Sequence, residues 1–137
     1  MSEANIELVR KAIIDIASEG KLDVADEIIA PDFVRHDLAG RSTTLGPEGI
    51  KRFIQAQRSI FPDLRLTIDG IFDASDMVVA RYTATGTHQG ELMGVAGTGK
   101  QVSWRGINIY RIERGKLAET WQLADMLGVM RQIGGLA

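Results

Sequence analysis

Asp125 is a candidate carboxylate for acid–base chemistry. It shares strand parity with Leu117, Glu119, Trp121 and Leu123. If Trp121 and Leu123 point inward, Asp125 does too, and a carboxylate beside Trp and Leu is partly desolvated, which suits a general acid or base. Asp125 also precedes an apolar stretch from Met126, where an Asp is a standard helix N-cap. Both roles stand at this point. His88 lies between Gly86 and Gly90, just past a strand. A loop histidine there either reaches a pocket mouth as acid, base or donor, or bonds a local carbonyl. His36 is the other histidine, with Asp37 beside it to orient it, or it simply satisfies a loop. Two histidines this far apart, without ligand spacing, are weak evidence for a metal centre, and none is expected. Arg81 interrupts an apolar strand, as a cation holding a carboxylate of protein or ligand does, or as a solvent-side arginine does. Trp104, Asn108 and Tyr110 share one face of a long strand, with Gly106 between them. That face joins aromatic surface to polar tips, as a ring-binding wall would, or an aromatic core or dimer face. Gly97-Thr98-Gly99-Lys100 is not a phosphate loop, because the full spacing is absent and a strand follows where a helix should.

The elements that carry these residues follow from periodicity. Ile6, Val9, Ile13 and Ile16 recur at helical spacing over residues 3–19, with Gly20 as the stop. A second helix is predicted over 22–29, ended by Ala30-Pro31, and residues 32–37 read as a short extended segment before a polar loop at 40–46. Gly46-Pro47-Glu48 opens a third helix with an apolar stripe at Ile50, Phe53, Ile54 and Gln57. Period-two alternation then predicts strands over 64–72, 77–87, 101–112 and 117–124, followed by a short helix over 127–133. Turn signals lie at Asp73-Ala74-Ser75-Asp76 and Glu113-Arg114-Gly115-Lys116. Three helices before a meander of strands is an α+β order, with the helices covering one face of a strongly curved sheet and a pocket between the layers.

Composition narrows the function classes. A chain of 137 residues suits a single domain with its own core. The absence of cysteine removes disulfides and thiol chemistry. A net charge of −2 and a pI near 5.7 give no electrostatic case for nucleic acid. Charges break the apolar pattern of residues 1–20, so they read as neither a signal peptide nor a membrane span, and a soluble, cytoplasmic protein is expected.

Several segments together resemble the SnoaL-like polyketide cyclase family, within the nuclear-transport-factor-2-like fold, over nearly the whole chain. They are Phe33-Val34-Arg35-His36-Asp37, Gly46-Pro47-Glu48-Gly49-Ile50, Phe61-Pro62-Asp63-Leu64, the run from Val79 to Gly90, Thr98-Gly99-Lys100, and Gly115 to Trp121 with Asp125. The resemblance implies one domain over 1–137: a cone-shaped, curved antiparallel or mixed sheet covered by three N-terminal helices and enclosing a deep apolar pocket. It implies closure of a ring in an aromatic polyketide ester by intramolecular aldol condensation, with no metal and no cofactor. Asp125 is the best match to the family's acidic residue near the end of a late strand. His36, His88 and Asn108 are candidates to hold substrate carbonyls, and Arg81, Trp104, Tyr110 and Trp121 join them as candidate site residues. The expected ligand is a small apolar or aromatic carbonyl compound, the expected partners exclude nucleic acid and membrane, and a dimer or tetramer forms through the outer sheet face. Hydrolysis, hydroxylase-type or isomerase activity in the same pocket, and non-catalytic binding, are the competing readings of this fold.

Overall fold

Val9, Ile13 and Ile16 are all buried and belong to one apolar cluster with Val78, Ala80, Tyr110 and Ile112 of the sheet. In this computed structural model, which describes residues 2–37 and 39–135, they lie on a helix that begins as α1 (Ser2–Arg10) and continues as π-helical turns over Lys11–Ser18. Gly20 ends it at φ 73°, a left-handed conformation that glycine adopts without steric cost. Arg58 clamps this end: its Nη1 donates to the carbonyls of Ala17 (3.2 Å), Ser18 (2.8 Å) and Leu64 (3.3 Å).

The short helix α2 (Val24–Ile28) buries Ala25 and Ile28. The chain then enters β1 (Ile29–Asp37), turns into the edge strand β2 (Ser42–Thr44), and forms α3 (Gly46–Ile60) with Pro47 in its first turn. Four long strands follow: β3 (Arg65–Ala74), β4 (Met77–Thr87), β5 (Gln101–Glu113) and β6 (Lys116–Ala124). The helix α4 (Met126–Gln132) closes the fold. The sheet order is β2-β1-β6-β5-β4-β3. All pairs are antiparallel except β1 with β6, so the sheet is mixed. Register shifts in the β1–β6, β3–β4 and β5–β6 pairs are where bulges bend it.

The expected α+β order holds, with two corrections. Residues 29–31 were expected to end a helix, yet Ile29 pairs with Leu117 and opens β1. Residues 42–44 were expected in a loop, yet Thr44, Thr43 and Ser42 pair with Val34, Arg35 and His36. Both pairings bring distant or wholly exposed residues together, which local periodicity does not register.

Register fixes the two faces of the sheet. Ala80, Tyr82 and Ala84 oppose Asn108, Gly106 and Trp104, and Asn108 and Tyr110 oppose Gln122 and Thr120. These residues form the concave face under the helices. Gly106 leaves room where Tyr82 crosses it, since a Cβ there would overlap the Tyr82 ring and hydroxyl. A second apolar cluster, with Phe61, Leu64, Trp104, Val129, Met130 and Ile133, brings α4 against β5. No helix among the described residues is long and apolar enough to cross a membrane.

Candidate functional site

The helices and the concave face enclose a cavity in two compartments. The inner one, about 80 Å³, is lined by Ile13, Ile16, Phe33, Ile54, Asn108 and Tyr110 among others. The outer one, about 530 Å³, opens at the mouth between Arg35, Asp37, Met93, Trp104 and Met126. Phe53, Gln57, Leu66, Tyr82 and Gln122 line both.

A row of polar groups crosses this apolar space. Arg35, on β1, donates from Nε to Gln122 Oε1 at 2.6 Å, and its guanidinium lies 4.6 Å from the centre of the Phe53 ring. An arginine N–H only donates, so the Gln122 oxygen must face Arg35 and its NH₂ is turned away. Tyr110 accepts from Asn108 Nδ2 at 3.1 Å. Burial pushes the Tyr110 phenol up to about 12, against the smaller opposing pull of the Asn108 amide. Burial also raises Tyr82, while the Trp104 indole beside its hydroxyl pulls the other way. Asp37 is the one carboxylate among the residues lining the two compartments, and its Oδ1 accepts from the backbone N–H groups of Ala39 (2.9 Å) and Arg41 (3.0 Å).

Trp104, Asn108 and Tyr110 are brought together on the cavity wall. The other candidates stand elsewhere. The expectation that Trp121 and Leu123 point inward with Asp125 is corrected by register: Trp121 pairs with Ile109 and Leu123 with Ile107 on the convex face, and Gln122 takes the inward position opposite Asn108. Asp125 caps α4, its Oδ1 accepting from Gly128 N at 2.8 Å. It borders a groove of about 780 Å³ on the convex side with Asp69, Arg81, Arg105, Ile107 and Leu123. Leu123, Ala124 and Met126 line the cavity mouth as well as this groove, whereas Asp125 lines the groove alone. Arg81 therefore lies on the outer face. So does His36, stacked on Trp121 with ring centroids 5.3 Å apart.

Glu119, not Asp37, orients His36 through Nε2, and Ser42 Oγ meets Nδ1 at 2.7 Å. Arg111, and secondarily His36, hold the Glu119 carboxyl below the usual range. His88 is fully buried, its ring centroid 6.2 Å from that of Phe61 and its Nδ1 2.9 Å from Thr98 Oγ1. It lines neither compartment.

Arg35, Tyr82 and Gln122 are the site residues that the individual reading of side chains missed. The signal was available for Gln122: once Asn108 is inward, the residue facing it across a short hairpin is inward too. Arg35 gave no such signal, since its placement depends on the parallel pairing of β1 with β6.

Comparison with known proteins agrees with this architecture. The family described as SnoaL-like polyketide cyclase matches residues 7–133. The chain is 30% identical over 135 residues to the aklanonic acid methyl ester cyclase AcmA of Streptomyces galilaeus, covering 98% of this chain and 92% of that one. It is 26% identical over 123 residues to the nogalonic acid methyl ester cyclase of Streptomyces nogalater, covering 89% and 92%. Among solved structures, AclR from Streptomyces galilaeus superposes with a TM-score of 0.88 at 27% identity, covering 100% of this chain and 89% of AclR. TsrD from Streptomyces laurentii gives 0.86 at 29% identity, covering 99% of each. With a curved sheet under helices, an enclosed apolar cavity and a family match across nearly its full length, the chain belongs to the SnoaL-like polyketide cyclase family.

Proposed function

We propose that the protein takes an apolar or aromatic carbonyl compound into the concave cavity and closes a ring in it by cofactor-free aldol chemistry of the ester-cyclase type. The observation that supports this reading is the polar row Arg35–Gln122 and Asn108–Tyr110 in an otherwise apolar enclosure. In the reaction a base removes a proton from the carbon between two carbonyls. The resulting carbanion adds to another carbonyl of the same molecule, a carbon–carbon bond forms, and the alkoxide takes up a proton. The Gln122 amide and the Arg35 guanidinium supply donors where enolate charge develops. Asp125 is assigned as the general acid/base. To meet a ligand at the mouth it must turn from the convex groove that it lines, and its Oδ2 is available for this while Oδ1 caps α4. His88, outside both compartments, is given a supporting role beside Phe61.

A second reading, binding without turnover, is favoured by one observation: the inward side chain near the end of β6 is the amide of Gln122, which takes no proton at neutral pH. The test incubates the protein with an aromatic polyketide methyl ester and follows ring closure and binding together. Turnover that Asp125→Asn abolishes supports the first reading. Turnover at full rate in Asp125→Asn removes Asp125 from the chemistry, and binding with no turnover puts the second reading ahead. We assign the outer sheet face, where Phe72 (55% exposed), Ile107 (44%) and Leu123 (47%) stand open, to contact between copies. Light scattering on the purified protein that finds only monomer would remove that assignment.

A further inference from the structure

Asn108 Oδ1 is shut off from solvent and has no hydrogen-bond partner among the described residues. The other end of the same amide is in use, since Nδ2 donates to the Tyr110 hydroxyl. The residue is 6% exposed and lines the inner compartment, directly opposite Gln122 on the neighbouring strand. Gln122 cannot turn its own oxygen to advantage here, because Arg35 holds it. The remaining neighbours in the compartment are largely apolar: Ile13, Ile16, Phe33 and Ile54. A buried acceptor left unpaired costs about 1–3 kcal/mol, so any group that brings it a proton is bound preferentially.

The size of the compartment limits what that group can be. About 80 Å³ is less than the roughly 150 Å³ of an engineered cavity that holds a benzene ring. It suits a single substituent of a larger ring system, whose body occupies the 530 Å³ mouth. We propose that Asn108 Oδ1 receives a ligand hydroxyl, so that the cavity selects phenolic or enolic carbonyl compounds over their O-methylated counterparts. This rests on the concave cavity being the ligand site, as in the reading above. The hydroxyl enters first, and the ligand's carbonyl remains near Gln122 and Arg35, which face the mouth. Discrimination of this kind is strong because the analogue without the donor leaves the site's own acceptor unpaired.

The test uses methyl 6-hydroxy-2-naphthoate and methyl 6-methoxy-2-naphthoate, in which a methyl group replaces the hydroxyl proton, titrated by calorimetry into the whole protein; Asn108→Leu separates the lost donor from the added bulk, because exclusion of the methyl group alone would survive it. The hydroxy ester is expected to bind the wild type about 10-fold more tightly or better. Asn108→Leu removes the acceptor at nearly constant volume and abolishes the preference. Tyr110→Phe leaves Asn108 Oδ1 in place and keeps the preference, so the result stands even if Asn108→Leu does not fold. Equal affinity of the two esters for the wild type overturns the proposal while leaving the cavity as a binding site. A preference that survives Asn108→Leu overturns it too. Binding of neither ester removes both this proposal and the cavity reading beneath it.

Discussion

Two residues near the end of β6 carry opposite duties, and substitutions separate them. Gln122 faces the cavity and anchors Arg35, whose Nε has no other hydrogen bond among the described residues. Gln122→Leu strands that donor in a half-buried place, so unfolding in urea is expected to show a loss of about 1–3 kcal/mol, with ligand affinity falling as the guanidinium loses its fixed position. Asp125 faces away and satisfies the first turn of α4. Asp125→Ala removes the cap and is expected to cost about 1 kcal/mol, whereas Asp125→Asn retains an oxygen in the same place and stays within about 0.5 kcal/mol of the wild type. The pair therefore divides structural from chemical effects. Activity that falls equally in both variants comes from the carboxylate itself, and activity that falls only in Asp125→Ala comes from loss of α4 packing.

Strands β4 and β5 form the part of the site that depends most on close approach. The far end of the buried Tyr82 side chain crosses Gly106, so Gly106→Ala places a methyl group against its ring and hydroxyl. Overpacking of this kind is expected to cost about 1–3 kcal/mol in thermal or urea unfolding and to narrow the cavity that Tyr82 lines. An unchanged midpoint would mean that the ring moves aside freely. These same strands were the most legible in the sequence. Alternation over 77–87 and 101–112 marked their extent, and parity put Trp104, Asn108 and Tyr110 on one face, with a ring-binding wall, an aromatic core and a dimer face all open as readings of it. What local pattern could not supply was pairing between distant segments. The parallel contact of β1 with β6 carries Arg35 to Gln122, 87 positions away, and nothing in the residues around either one announces it. The faces of β6 were misjudged for a different reason. Trp121 and Leu123 look like core residues, yet they stand on the convex face, where Trp121 stacks on His36 and Leu123 is exposed. An apolar residue on a sheet's outer face reads the same as one on its inner face until register is known.

For the whole molecule, stability at the two ends of the pH range is set by different groups. On the acid side, Thr87 holds Asp63, and Arg111 holds Glu119 and Glu113, below their usual carboxylate values. Groups depressed in the folded state stabilise it above their ordinary values near 4, and that contribution is lost as pH falls through their folded values. The alkaline side turns on one buried phenol. Tyr110 ionises near 10 in the unfolded chain and at about 12 in the folded one, because burial penalises the phenolate. The folded state therefore keeps its full stability below about pH 10, and the unfolded chain gains by losing this proton as pH rises from there towards 12. A difference of about two pKa units corresponds to a loss on the order of 2–3 kcal/mol across that window. Tyr110→Phe cannot ionise. At pH 8 it is expected to be the less stable protein by about 1 kcal/mol, because the Asn108 amide loses its acceptor. Between pH 10 and 12 the order reverses, as the wild type weakens through Tyr110 and the variant does not. Urea midpoints for both proteins at intervals from pH 8 to pH 11.5 measure the crossing, and the contributions of the lysines cancel in the comparison. Parallel curves would show that the Tyr110 hydroxyl meets solvent through an open floor of the cavity.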